Sequence, residues 1–210
     1  MMTMGNYGGT LAAVRSYGKH SHPTLLATSI TSTLSHRSRY LSEALESPPV
    51  EDFEQFFSWL MAYGQQKPGV FLYPSSDDMT WLIAYYRDQL SQYYKLYSPD
   101  VETIYALLNK PKLHAVAETL GIPVPTTISP ISVEELEAQA DDLTYPVLIK
   151  PRTQSGMIRR QKGQVCESRE QLLDIYPAYQ QKFCYHPFLI GFDSDVSWPM
   201  VQSFHASAGQ

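Results

Sequence analysis

Apolar residues recur along the chain at two periods, and the switches between them mark out elements. In "NYGGTLAAVRSYGKH", Leu11, Val14 and Tyr17 fall three apart, so a glycine turn leads into an amphipathic helix. "TLLATS" reads as a short buried strand. In "EDFEQFFSWLMAYG", Phe53, Phe56, Phe57, Leu60 and Met61 have helical spacing, with Gly64 placed as the cap. The turn "KPG" precedes a second buried strand, "VFLY". "PSSDD" then opens a helix through "MTWLIAYYRDQL". Ser75 or Ser76 stands at its N-cap, and Asp77 and Asp78 face the positive end of the helix dipole. Alternation of strand and helix predicts an α/β domain around a mainly parallel sheet.

The second half continues differently. "YSPD" begins a helix with Ser98 as N-cap and Pro99 in the first helical position. In "KPKLHAVAETLGIPVP", Pro111 can start a helix and Gly121 can cap it, while Pro123 and Pro125 prevent its continuation. The extended "VPTTIS" looks like the crossing into a second unit. "SVEELEAQA" and "SREQLLDIY" open with capping-box spacing, Ser132 with Glu135 and Ser168 with Gln171. "YPVLIK", "GQVCES" and "PMVQSFH" read as strands. The N-terminal edge is unusual, because a doubly wound domain places a full strand before its first glycine turn. Only "MMTMG" is available, so that strand is very short or was lost from this chain.

Composition narrows the class. The chain has 210 residues, a net charge of -5 and 43 % hydrophobic residues. That suits one large domain or two small ones, with a sizeable core and no need of disulfides. Cys166 and Cys184 make neither a disulfide framework nor a metal-ligand spacing, which fits a reducing, cytoplasmic setting. "MMTMGNYGG" lacks the basic-then-apolar pattern of a signal peptide. No apolar run approaches the ~20 residues of a transmembrane helix, so no membrane partner is expected. Mild acidity argues against nucleic acid as a partner.

Several stretches could carry chemistry. Gly5, Gly8 and Gly9 in "GNYGGT" could let a backbone approach a ligand or simply pack a tight turn. They lack the G-x-G-x-x-G spacing of a dinucleotide site, and "TLLATS" ends without an acid for a ribose. Asp77 and Asp78 follow a strand at the ligand-bearing edge of the sheet, but they also suit a plain helix start. His20 and His22 make a poor zinc arrangement, and His36, His114, His186 and His205 are isolated. Lys150 ends an apolar strand beside the loop "RTQSG". It can either snorkel to solvent or hold a phosphate as a point charge.

Taken together, these pieces resemble the ATP-grasp superfamily of carboxylate–amine ligases, with its preceding Rossmann-like domain. "NYGGTLAAVRSYG" and "VFLYPSSDD" look like that domain's glycine turn and acidic loop. "NKPKLHAVAETLGIPVPTT" is similar to the family's lysine, helix and "G-I-P-x-P" signature. "YPVLIKPRTQSG" resembles the first strand and phosphate loop of the lid subdomain, and "PMVQSFH" the strand entering the hinge. The resemblance implies a Rossmann-like parallel-sheet domain over residues 1–108. An α+β lid subdomain, part of an incomplete ATP-grasp domain, would follow over 109–210.

It also implies roles. Lys110 and Lys150 would contact ATP phosphates, Lys112 being too close to Gly121 for that role. The loop Arg152, Thr153, Gln154, Ser155, Gly156 and Met157 would close over the phosphates. Val201, Gln202 and Phe204 would line an adenine pocket, and Ile149 could pack on the base. Lysines, backbone N–H groups and Mg²⁺ stabilise charge on a transferring phosphoryl group, and a closing lid excludes water. The complete protein would join a small-molecule carboxylate to an amine, of amino-acid or peptide type, using ATP and Mg²⁺.

There are three departures from the pattern. The chain stops at "HASAGQ", and the family's magnesium-binding acids and Asn and its transition-state arginine are expected downstream, so this chain alone should not be catalytic. "RTQSGM" is glycine-poor for a phosphate loop. Asn109 stands where many relatives carry an acid. A non-catalytic nucleotide-binding or interaction protein with a degenerate ATP-grasp fold stays open as an alternative. So does carbamoyl-phosphate-synthase-like or biotin-carboxylase-like chemistry, and, more distantly, a dehydrogenase.

Overall fold

The computed structural model describes residues 1–157, 162–182, 185 and 187–203. Cys184, His186, Phe204 and His205 lie outside them. The chain divides into two units, Met1–Ile104 and Tyr105–Gln210.

In the first unit the elements run α1 (Gly8–Lys19), β1 (Leu25–Thr28), a 3₁₀ turn (Leu34–Arg37), β2 (Glu43–Glu46), α2 (Phe53–Gln66), β3 (Val70–Phe71), α3 (Asp77–Tyr85), α4 (Arg87–Leu90) and β4 (Tyr94–Lys95). β1 pairs in parallel with β2, and β3 with β4. The first residues join the two pairs. Met2 donates its N–H to Leu25 O and accepts from Ala27 N–H, both at 2.9 Å. On the other side the Met1 amine donates to Phe71 O at 2.5 Å, and Tyr73 N–H to Met1 O at 2.9 Å. Met1 and Met2 thus form an extended bridge in the place of the first strand. It is central, with β1 and β2 to one side and β3 and β4 to the other, the doubly wound order. Leu26, Phe56, Leu60, Leu72, Trp81 and Leu82 are among its fully buried side chains.

Four local expectations are corrected. Gly64 is not a cap: α2 continues to Gln66. A Cβ at Gly64 would lie 2.7 Å from the Tyr94 ring and 2.8 Å from Tyr93 Cβ. The Tyr94 hydroxyl donates to Leu60 O at 2.7 Å, so the glycine lets β4's aromatic residue close on the helix. The helix expected through "MTWLIAYYRDQL" breaks at Tyr86 into α3 and α4. "VFLY" is not uniformly buried: Leu72 is, but Phe71 is 39 % exposed. The helix after "YSPD" is α5 (Val101–Leu108), which begins beyond Ser98 and Pro99. Asp100 caps it, accepting from Thr103 N–H at 2.8 Å, because its carboxylate reaches that amide. Ser76, by contrast, caps α3 as expected, accepting from Met79 N–H at 3.1 Å.

The second unit contains α6 (Lys110–Thr119), β5 (Thr127–Ile128), α7 (Val133–Gln139), β6 (Val147–Pro151), β7 (Gln164–Cys166), α8 (Arg169–Gln180), α9 (Pro187–Phe192) and β8 (Pro199–Ser203). Its sheet has the order β5-β8-β6-β7, all antiparallel. Ser132 and Ser168 cap α7 and α8 as the sequence indicates. Val147, Ile149, Cys166, Val201 and Ser203 share one face and are all buried. The Tyr176 hydroxyl of α8 donates toward Pro130 O and Pro199 O, fixing that helix to the sheet. Thr127, Leu148, Lys150 and Gln202 alternate onto the other face and stay partly exposed.

Candidate phosphate-binding face

This partly exposed face gathers polar groups from four elements. In register, Leu148 stands opposite Gln202, Gln202 opposite Thr127, and Lys150 opposite Met200. The Lys150 ammonium donates to the Gln202 side-chain oxygen. Lys150 is half-buried, and loss of hydration holds its pKa below the usual lysine value. No carboxylate contributes to that shift. Desolvation without a compensating acid leaves a cation that would gain from an anion.

α6 brings the second lysine. Asn109 is its N-cap, accepting from Lys112 N–H at 3.2 Å, and Pro111 occupies the first turn. Asn109 is itself held, donating to the Tyr105 hydroxyl at 3.1 Å and to Asp193 at 3.2 Å. The Tyr105 hydroxyl donates to the same carboxylate at 2.6 Å. Lys110 follows this anchored residue. Its backbone N–H donates to Arg152 O at 2.8 Å, and its ammonium to Pro151 O at 3.2 Å. That places both lysines at the loop end of β6.

His114 is the group that motif reading passed over. It lies four residues after Lys110, on the same face of α6, and its Nδ1 is 3.1 Å from Thr127 Oγ1. Burial lowers its pKa first, and Lys150 and Lys110 lower it further, against an opposing effect of Glu118. Through Thr127, which stands opposite Gln202, the imidazole is held at the edge of the same face. The i, i+4 spacing from Lys110 was the available signal.

The other expected residues are placed as follows. Ile149 and Val201 are a register pair on the buried face, each 0 % exposed. Ile149 therefore offers no surface to a base, because strand alternation presents Leu148 beside Lys150 instead. The Arg152 guanidinium turns inward and donates to the carbonyls of Trp198, Ser129 and Pro130 at 2.8–3.1 Å. Thr153 Oγ1 accepts from Ser155 N–H at 3.1 Å. Tyr185 donates to Thr153 O at 2.7 Å, and Gly156, at φ +66°, sits against Leu189. Thr153, Ser155, Gly156 and Met157 are buried, and Gln154 alone of that run keeps partial exposure. Phe204 lies outside the described residues.

No known family profile matches the sequence, and no curated protein is significantly similar to it. Solved structures are. The biotin carboxylase domain of Hydrogenobacter thermophilus 2-oxoglutarate carboxylase, in complex with MgADP, ADP and bicarbonate, matches with a TM-score of 0.65 at 16 % identity. L-amino acid ligase from Bacillus licheniformis matches at 0.66 and 12 %. N5-carboxyaminoimidazole synthetase from Staphylococcus aureus matches at 0.61 and 14 %. Each match covers 97 % of this chain but 44 %, 43 % and 46 % of the respective neighbour. The chain has the α/β fold shared by these ATP-grasp ligases and spans less than half their length.

Proposed function

We propose that this chain supplies the phosphate-binding lysines of an ATP-dependent carboxylate–amine ligase of amino-acid or peptide type. The observation that carries the reading is the half-buried Lys150 ammonium. It is desolvated, held in place by neutral Gln202, and accompanied by Lys110 and His114. Such donors suit a nucleotide's phosphates, and the fold is one in which a neighbour holds MgADP.

In this reading Lys150 and Lys110 orient the transferring phosphoryl group and offset its charge. Gln202 fixes Lys150, and the carbonyls of Pro151 and Arg152 fix Lys110. Leu148 offers apolar surface beside them. Phosphoryl transfer to the carboxylate gives an acyl phosphate and ADP; amine attack then forms the C–N bond and expels phosphate. Among the described residues no three His, Cys, Asp or Glu side chains form a metal-holding group. Magnesium would arrive as the companion of the nucleotide, and no residue of this chain is assigned to it.

Calorimetric titration with ATP tests the reading. Saturable, weak binding is expected, reduced at least tenfold in Lys150→Ala and little changed in Lys112→Ala, whose side chain is exposed. Equal losses in the two variants would sink the assignment.

A further inference from the structure

The first unit carries a second cationic group with a different construction. Arg15 and Lys19 project from α1 four residues apart, on one face, where like charges repel. Across an open groove of about 430 Å³ stand Arg37, Ser38, Arg39 and Tyr40. All four cations are exposed. Among the described residues none of them is in an ion pair. This is notable in a chain of net charge -5. Four cations gathered without an acid repel one another, and neutralising them with an anion would relieve that cost.

The groove is held together by close packing. Gly18 lies between Arg15 and Lys19 in α1, and a Cβ there would fall 2.5 Å from Tyr40 Cβ and 2.9 Å from Tyr40 O. Only glycine lets the Arg37–Tyr40 segment sit against the helix. The Thr24 hydroxyl donates to Tyr40 O at 2.5 Å, anchoring the same segment. Arg39 donates to the Tyr40 hydroxyl at 2.9 Å, and its guanidinium lies 4.9 Å from the centre of that ring. The phenol's pKa is lowered, first by the Arg39 hydrogen bond and, against an opposing effect of lost hydration, by the charges of Arg39 and Lys19. No carboxylate contributes there.

We propose that this groove binds a small anion carrying two or more phosphate groups. Arginine forks match phosphate oxygens two at a time. The volume falls in the range of small-molecule sites. The acidic net charge disfavours a long nucleic acid, which needs basic charge spread over a larger surface. A soluble bisphosphate and the headgroup of a phosphorylated inositol lipid share this chemistry.

The test is titration of the Lys150→Ala chain with pyrophosphate in low-salt, magnesium-free buffer, so that the strand site is weakened. Saturable binding to one site is expected, weakened at least tenfold by adding Arg37→Gln and Arg39→Gln. Circular dichroism of the triple variant should show an unchanged fold, since both arginines are exposed. If pyrophosphate does not saturate, or if the arginine changes leave its affinity intact, the proposal is overturned. Capture by vesicles containing a bisphosphorylated inositol lipid, reversed by pyrophosphate, would support it with a lipid headgroup as the source. Binding of polyuridylate that pyrophosphate does not displace would overturn it.

Discussion

The two cationic groups hold similar charges by opposite means. Lys150 sits on a sheet face, partly stripped of water, and is oriented by Gln202. The four cations of the α1 groove keep their water, and they are concentrated by a glycine contact between backbones. The first arrangement spends desolvation to obtain position. The second leaves its side chains exposed to solvent and relies on their number. Strength, salt response and pH response should therefore differ between them.

The largest separation is expected from Lys150→Met. Replacing the ammonium should cost roughly 1.5–3 kcal/mol of nucleotide binding, the usual worth of a charged hydrogen bond. Thermal unfolding should show no matching loss of stability, because a desolvated charge has gone. A large fall in melting temperature would mean that Lys150 is a structural residue. Salt comes next. Raising ionic strength from roughly 0.02 to 0.3 M should weaken pyrophosphate at the exposed groove by about tenfold and nucleotide at Lys150 by less, since exposed charges are screened more than buried ones. Parallel salt slopes would erase the distinction.

The pH response should be smaller and confined to the strand site. Lys150 has a folded pKa below its unfolded value. The native state thus holds fewer protons between those two values, and stability rises with pH across that window. Nucleotide binding needs the ammonium, so affinity should decline as pH rises through the lowered pKa, before an ordinary lysine would titrate. Calorimetry across the alkaline range checks this, and a decline only near the ordinary lysine pKa would contradict it. Smallest of all, Arg37→Gln should change unfolding free energy by no more than about 0.5 kcal/mol, as for other exposed positions.

The sequence showed parts of this plan and hid others for physical reasons. Strand β6, helix α6 and the caps Ser76, Ser132 and Ser168 were readable because each rests on local chemistry, namely periodicity and a hydroxyl placed before a helix. Lys150 stood out as a lysine ending an apolar strand, and resemblance to a family pattern added Lys110. His114 was missed because its place beside Thr127 depends on where α6 lies, which its own neighbours in sequence do not reveal. β2 and β4 were unforeseen, since "EALE" and "YK" lack the apolar run that marks a buried strand. Arg152 misled for a related reason. A charged residue in a candidate phosphate loop looks available, but this one is committed to three carbonyls. The arginine groove joins "RSYGK" to "RSRY" across a loop and a strand, and no local window spans both.

The alternation of β6 has a further consequence. Ile149 and Lys150 are neighbours in sequence, yet one belongs to the core and the other to the open face. Core and candidate site are thus written into the same five residues, in alternating letters. Inserting or deleting one residue between Val147 and Lys150 would exchange the two roles, burying an ammonium and exposing an isoleucine. This stretch should tolerate substitution far better than any change in length.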